Sequence, residues 1–247
     1  MSEIISVVSG KGGVGKTTFS INFAAALKEF GKEVIVVDAD TYNPNVGLRL
    51  GLPTLAVSLQ DVLNGEVKVH HSVFMHPTGL KVIPASVSFD KMGSNLSKLR
   101  DVLLELEGTV IIDSPPGLND DVKAIIKASD IVFVITNPEH AAVIDAIKTI
   151  KLAKSLGKNR IYVIVNRVTG DAYELTTDEI ELLCETPVLA SISEDQNIRK
   201  ANFENIPVIY RNPYSKASID LRFLTSRLLG IEYKPPPFLF LRRLFDR

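Results

Sequence analysis

Residues 10–18 read GKGGVGKTT, and they stand between an apolar, β-branched run at residues 4–9 (IISVVS) and a helical stretch that starts at Lys16. The stretch satisfies GxxxxGK[ST], with Gly10, Gly15, Lys16 and Thr17 in the required places. Glycines let successive backbone N–H groups converge on phosphate oxygens, and the N-terminus of the following helix adds its partial positive charge. Lys16 is expected to neutralise the β- and γ-phosphates of ATP, or the β-phosphate of ADP, and the Thr17 hydroxyl to ligate Mg²⁺. Gly12, Gly13, Val14 and Thr18 complete the loop and are expected to line the phosphates. The strand before and the helix after separate this motif from a glycine-rich turn without chemistry.

Outward from the loop, short β-branched runs alternate with helix-like stretches, the pattern of βαβ units feeding a parallel sheet. Strands are predicted at residues 4–9, 34–37, 80–84, 110–113, 131–136, 160–166, 188–193 and 208–209. They are short and almost purely apolar, as expected where helices cover both faces of a sheet. Helices are predicted at residues 16–30, 59–63, 95–106, 120–127, 141–156, 177–183, 197–203 and 215–229, with Gly31 and Gly157 placed as C-caps. The expected architecture is α/β: a single-domain P-loop NTPase with a mainly parallel, twisted sheet flanked by helices.

Composition sets outer bounds. The 247 residues carry 28 Lys and Arg against 29 Asp and Glu, and 45% are hydrophobic, which fits one large globular domain rather than a disordered chain or a nucleic-acid coat. Uninterrupted apolar runs such as residues 131–135 are far short of the roughly 20 residues that span a bilayer. Met1, Ser2 and Glu3 supply neither the basic start nor the apolar core of a secretory signal, so a cytoplasmic protein is expected. One cysteine, Cys184, cannot form an intrachain disulfide, and by itself it cannot build a zinc or iron–sulfur site.

Two predicted strands end in carboxylates. Residues 34–37 run into Asp38-Ala39-Asp40, and residues 110–112 run into Asp113-Ser114-Pro115-Pro116-Gly117. Ligands in open α/β sheets sit beyond the carboxyl ends of the strands, so these groups are expected to face the phosphates and Mg²⁺. Asp113 is the natural Walker B position, acting on the metal through water, and Asp38 is a second candidate for that shell. Asp40 could orient an attacking water in line with the γ-phosphate.

The extra lysine of GKGGVGKTT, Lys11, makes the loop resemble the deviant Walker A motif of the MinD/ParA group of P-loop ATPases. TNPE at residues 136–139, VNRVTGD at 165–171 and SEDQNIRKANFENIPVI at 193–209 follow in the order that is similar to MinD. The resemblance implies a slow, Mg-dependent ATPase that dimerises with ATP and works as a switch. It implies that Lys11 reaches the partner's phosphates across the dimer and that Asp40 activates water. It also implies that Asn166 meets adenine, with Arg167 beside it and Ser193, Glu194 and Asp195 closing over the base. Cell-division site placement through a protein partner is the use implied; a ParA-like DNA-partition ATPase and a nucleotide-holding module with little turnover are the alternatives. DADTYNP at residues 38–44 resembles Mrp-type iron–sulfur carriers instead, but such carriers need paired cysteines.

Past residue 229 the pattern changes. Residues 230–237 hold three consecutive prolines and are expected to be a linker, and residues 238–247, FLFLRRLFDR, to be an appended amphipathic helix. At about 100° per residue, Phe240, Leu241, Leu244 and Phe245 lie on one side and Arg242, Arg243, Asp246 and Arg247 on the other, with only Leu239 breaking the division. Such a helix suits an anionic membrane surface and resembles the membrane-targeting end of many MinD proteins. Five large apolar side chains supply at most about 10 kcal/mol, while ordering ten residues costs at least about 1 kcal/mol apiece, so one tail is expected to bind weakly. The tail carries +2 and the rest of the chain −3, a division that suits lipid better than nucleic acid. Peripheral residence on the inner face of the cell membrane is the resulting expectation.

The remaining features read as ordinary. His70, His71 and His76 are expected to be solvated loop histidines, Cys184 a small buried residue, and Lys148, Lys151, Lys154 and Lys158 a solvated helix face.

Overall fold

Val7 sits beside Asp113 on one neighbouring strand and Phe133 on the other, at the centre of an eight-stranded sheet. The computed structural model describes residues 2–52 and 57–245. Its strands are β1 (Glu3–Val8), β2 (Val34–Asp38), β3 (Phe74–Met75), β4 (Lys81–Ile83), β5 (Thr109–Asp113), β6 (Ile131–Thr136), β7 (Ile161–Val168) and β8 (Val188–Ser193). They lie in the order β3-β4-β2-β5-β1-β6-β7-β8. Every pairing is parallel except that of β3 with β4 at one edge. Chain order reverses around β1, so the loop that leaves β1 opens at the topological switch point, where such sheets hold ligands.

The helices are α1 (Lys16–Glu29), α2 (Val46–Arg49), α3 (Leu59–Leu63), α4 (Leu99–Leu104), α5 (Asp120–Ala128), α6 (His140–Ser155), α7 (Thr177–Cys184), α8 (Gln196–Phe203), α9 (Val208–Arg211), α10 (Lys216–Leu229) and α11 (Leu239–Phe245). Strand pleating divides the apolar residues between two cores. Ile4, Val8, Val110, Ile112, Val132 and Val134 meet the face covered by α3 to α7. Ile5, Val7, Ile111, Ile131, Phe133 and Ile135 meet the face covered by α1, α9 and α10. Uniformly apolar strands therefore hide a strict two-residue alternation.

Local chemistry sets several helix starts. The Asn119 side chain accepts from the Val122 N–H at α5, Thr176 and Glu179 form a reciprocal capping box at α7, and Ser215 accepts from the Ser218 N–H at α10. The expected helix at residues 95–106 is divided. Asn95 accepts from the Ser97 N–H and starts a 3₁₀ turn at Leu96–Lys98, and α4 follows directly.

Residues 208–209 are not a strand. Pro207 holds φ at −54° and the Val208 N–H donates to Asn22 Oδ1 at 2.6 Å, so the buried Val208 and Ile209 enter the helical turn α9 against α1. A two-residue apolar run does not distinguish a strand from a buried turn. His70 and His71 lie in a 3₁₀ turn, Val69–Ser72. His76 is buried, not solvated, with Nδ1 2.7 Å from Thr78 Oγ1 and accepting from the Thr78 N–H at 3.3 Å; burial lowers its pKa.

Phe133 makes ring contacts with Phe19, Phe23 and Tyr162 at centroid distances of 6.3, 5.5 and 6.3 Å and is fully buried. Phe133→Ala should therefore cost about 3–5 kcal/mol, read as a lower urea midpoint with an unchanged slope.

Candidate nucleotide site

Residues 10–15 pass from β1 to α1 under tight steric limits. A Cβ on Gly10 would lie 2.8 Å from the Asp145 carbonyl oxygen, so the loop lies directly on α6. Gly15, the N-cap of α1, has φ +97°, and a Cβ there would lie 2.4 Å from Asn166 Nδ2. Both the left-handed backbone and the missing side chain are required at Gly15. Asn166 Nδ2 donates to the Val14 carbonyl at 2.7 Å, tying the end of β7 to the loop.

Lys16 is buried, and its Nζ donates to Ser9 Oγ at 3.0 Å. Burial lowers its pKa, against the opposing pull of Asp113 and Asp40. Thr17 Oγ1 donates to Asp113 Oδ2 at 2.6 Å and Ser20 Oγ to Oδ1 at 3.0 Å, so two hydroxyls one turn apart hold both carboxylate oxygens. Burial pushes the Asp113 carboxyl up to about 6, against the pull of Thr17, Lys16 and Ser20. A cation beside Thr17 and Asp113 would relieve that burial penalty, so the residues present fit magnesium.

Asp38 and Asp113 are register partners at the ends of β2 and β5. Asp38 is fully buried, and burial together with Asp113 raises its carboxyl to about 8. Its oxygens accept three backbone N–H groups, from Asn45 at 2.8 Å, Val46 at 2.9 Å and Asp40 at 3.2 Å. Asp38 thus holds the loop that carries Asp40 and the start of α2, a role that the sequence reading did not give it. Asp40 is also buried and accepts from the Asn43 N–H at 2.9 Å.

A cavity of about 190 Å³ runs from Gly13, Gly15 and Thr18 to the ends of β7 and β8, between Arg49 of α2 and Ile198 and Arg199 of α8. Asn166, Arg167, Ser193, Glu194 and Asp195 all line it, so the expected base-site residues come together. Their partners hold the walls in place: Arg167 Nε donates to Glu194 at 2.8 Å, the Ser193 N–H to Asp220 at 2.9 Å, and Asp195 caps α8 through the Asn197 N–H while accepting from Ala217 of α10. Gly12 and Lys11 stand apart from this cavity. Lys11 Nζ reaches Glu139 Oε2 at 3.4 Å with both side chains largely exposed, at the start of α6.

Arg49 and Phe19 also line the cavity and were not singled out from the sequence. Arg49 closes a four-residue helix that contains Gly47, too short to show periodicity.

The chain resembles known proteins over most of its length. A family model for the CobQ/CobB/MinD/ParA nucleotide-binding domain matches residues 5–208. The chain belongs to this family. Within it, the chain is similar to MinD-type cell-division ATPases with the deviant Walker A loop. It is 38% identical over 238 residues to an uncharacterized ATP-binding protein of Methanocaldococcus jannaschii, covering 95% of this chain and 90% of that one. It is 33% identical over 242 residues to the septum site-determining protein MinD of Thermotoga maritima, covering 93% and 90%. The solved structure of the septum site-determining protein MinD complexed with Mg-ADP from Pyrococcus horikoshii superposes with a TM-score of 0.87 at 32% identity, covering 95% of this chain and 100% of that one. This MinD/ParA chain is accordingly an ATP-hydrolysing P-loop enzyme that works as a nucleotide-dependent switch.

Cys184 is buried, and burial raises its thiol to about 11; among the described residues no cluster of His, Cys, Asp and Glu could hold a metal ion. On α6, Lys148 pairs with Asp145 at 3.0 Å and Lys154 donates to the Glu185 carbonyl; Lys158 lies beyond the end of α6, half-buried, and donates to the Lys127 and Ser129 carbonyls, so it is not part of a solvated helix face.

Asp38→Ala would leave the Asn45 and Val46 amides without their acceptor, at about 1–3 kcal/mol for a buried donor. The expected result is faster hydrogen exchange at those two amides than in the parent, with β1 amides unchanged.

Proposed function

We propose that this ATPase cycles between a monomer and an ATP-bound homodimer, that the dimer lies on the anionic inner face of the cell membrane through residues 238–247, and that it positions a division machine or another assembly through a protein partner. The observation that carries this reading is the exposure of the tail. Phe238, Phe240 and Leu241 are 76%, 75% and 50% exposed, an unusual state for three large apolar residues in a row of four. Leu239, which breaks the amphipathic division, is the half-buried one. No helix among the described residues is long and apolar enough to cross a membrane, so the proposed attachment is peripheral. Asp246 and Arg247 lie outside the described residues.

The proposed division of the chain is an ATPase body at residues 1–229, a proline-rich connection at 230–237 and the tail at 238–247. Tyr233 anchors the connection to the body, edge-on to Phe223 at 5.1 Å and Phe30 at 6.1 Å. Arg242 then lies over the Tyr214 ring at 5.1 Å and donates to its hydroxyl at 3.0 Å. Two tails held in one dimer insert as a unit, because the second insertion is effectively intramolecular.

Within the site, Gly10, Gly12, Gly13, Val14, Gly15, Lys16 and Thr18 cradle the phosphates, and Asn166, Arg167, Ser193, Glu194 and Asp195 surround the nucleoside. Thr17 and Asp113 hold Mg²⁺, Asp113 through water; Asp38, whose oxygens already accept backbone N–H groups, supports that shell from behind. Magnesium held there would supply positive charge to offset the negative charge of the phosphates. Asp40 orients the attacking water. Lys11, exposed and paired with Glu139 among the described residues, leaves that partner to reach the second protomer's phosphates.

Asp40→Ala should bind ATP, remain dimeric and lose hydrolysis by at least about tenfold, since water positioning is a large term in such reactions; parental turnover in that variant would remove the assignment. Deleting residues 238–247 should abolish sedimentation with anionic liposomes and leave basal hydrolysis intact. Liposome binding that survives the deletion, or DNA competing where liposomes do not, would overturn the membrane reading.

A further inference from the structure

We infer that Arg49 is a nucleotide-binding residue, clamping the α-phosphate of ADP or ATP and tying the Asp40 loop to nucleotide occupancy. The inference rests on the reading of this cavity as a nucleotide site and adds to it a residue and a coupling that the phosphate loop does not supply.

Arg49 Nη1 donates to Thr18 Oγ1 at 3.0 Å, and the guanidinium lines the cavity together with Gly13, Gly15 and Thr18. Its Nε is buried without a partner. An arginine carries five donors in a rigid fork, and a buried donor without an acceptor is costly. No carboxylate among the described residues forms an ion pair with Arg49. The positive charge of the guanidinium at the cavity wall is therefore left for an anion that enters the cavity, and its planar fork favours a phosphate.

Thr18 fixes which phosphate. Lys16 serves the β- and γ-phosphates and Thr17 the metal; Thr18 is the next residue along α1 and the one that faces the cavity leading to Asn166 and Ser193. A guanidinium on the Thr18 hydroxyl stands at the nucleoside end of the phosphate chain. ADP and ATP share that phosphate, so the contact serves both.

The coupling follows from how Arg49 is mounted. Its helix α2 is fixed at its start by Asp38, through the Asn45 and Val46 N–H groups, and packs through the buried Val46 and Leu50. Asp40 lies on the same short segment, between the Asp38 anchor and α2. A phosphate gripped by Arg49 restrains α2 from the cavity side, and the intervening loop is then held at both ends.

The test is calorimetric titration of the full chain with Mg-ADP and with a magnesium complex of a non-hydrolysable ATP analogue, using the parent, Arg49→Met, Arg49→Lys and Lys16→Ala. Arg49→Met keeps the aliphatic stem and should weaken both nucleotides to the same extent, by about ten- to a hundredfold, the range of a charge-assisted hydrogen bond. Arg49→Lys, which keeps the charge and guards against a folding defect in Arg49→Met, should recover part of that loss. Hydrogen exchange should show ADP protecting residues 41–50 in the parent and not in Arg49→Met. Parental affinity in Arg49→Met, or a loss confined to the ATP analogue, would overturn the assignment while leaving the nucleotide site intact. A parent that binds neither nucleotide, or binds both as well after Lys16→Ala, would overturn the nucleotide reading and this inference with it.

Discussion

Both oxygens of Asp113 are held by hydroxyls from the first turns of α1, Thr17 on one and Ser20 on the other. Asp113 ends β5, between β1, which delivers the phosphate loop, and β2, which delivers Asp38. One buried carboxylate thus aligns the loop, the helix that follows it and the second acidic strand end. Burial holds its carboxyl at about 6 instead of the ordinary range, so the site carries an electrostatic cost that a bound cation would reduce. The polar centre is tolerated because the sheet around it buries apolar residues on both faces.

Much of this was legible in the sequence. The spacing of Gly10, Gly15, Lys16 and Thr17 is dictated by phosphate geometry, which leaves few alternatives, and the strands that end in Asp38 and Asp113 sit where those residues end apolar runs. Helix caps such as Asn119 and Thr176 are local chemistry and are visible in the same way. What escaped was set by tertiary partners. Val208 and Ile209 look like a strand, yet their turn is fixed by Pro207 and by Asn22, 186 residues away. Asp38 reads in sequence only as a group for the metal shell, and its second role, accepting backbone N–H groups seven and eight residues on, needs the folded loop to show it. Arg49 has no motif to announce it; only the fold brings it onto Thr18.

The acidic segment after β2 gives the molecule a means of coupling. It is pinned at Asp38, carries Asp40, and ends at Arg49 on the cavity wall, so chemistry at the phosphates and order in the loop are mechanically joined. The other end of the chain leaves the body at Tyr233 and presents Phe238, Phe240 and Leu241 outward. On the proposed membrane reading, a single tail of this size balances its insertion energy against the cost of ordering, which would make residence there sensitive to pairing.

The central claim is that nucleotide state controls pairing and pairing controls membrane residence. Light scattering and co-sedimentation with anionic liposomes, on one preparation with ATP, ADP or no nucleotide, test it most directly. The account predicts a doubled mass and pelleting with liposomes in ATP, and monomeric, largely soluble protein in the other two conditions. The same mass and the same liposome binding in all three would contradict it.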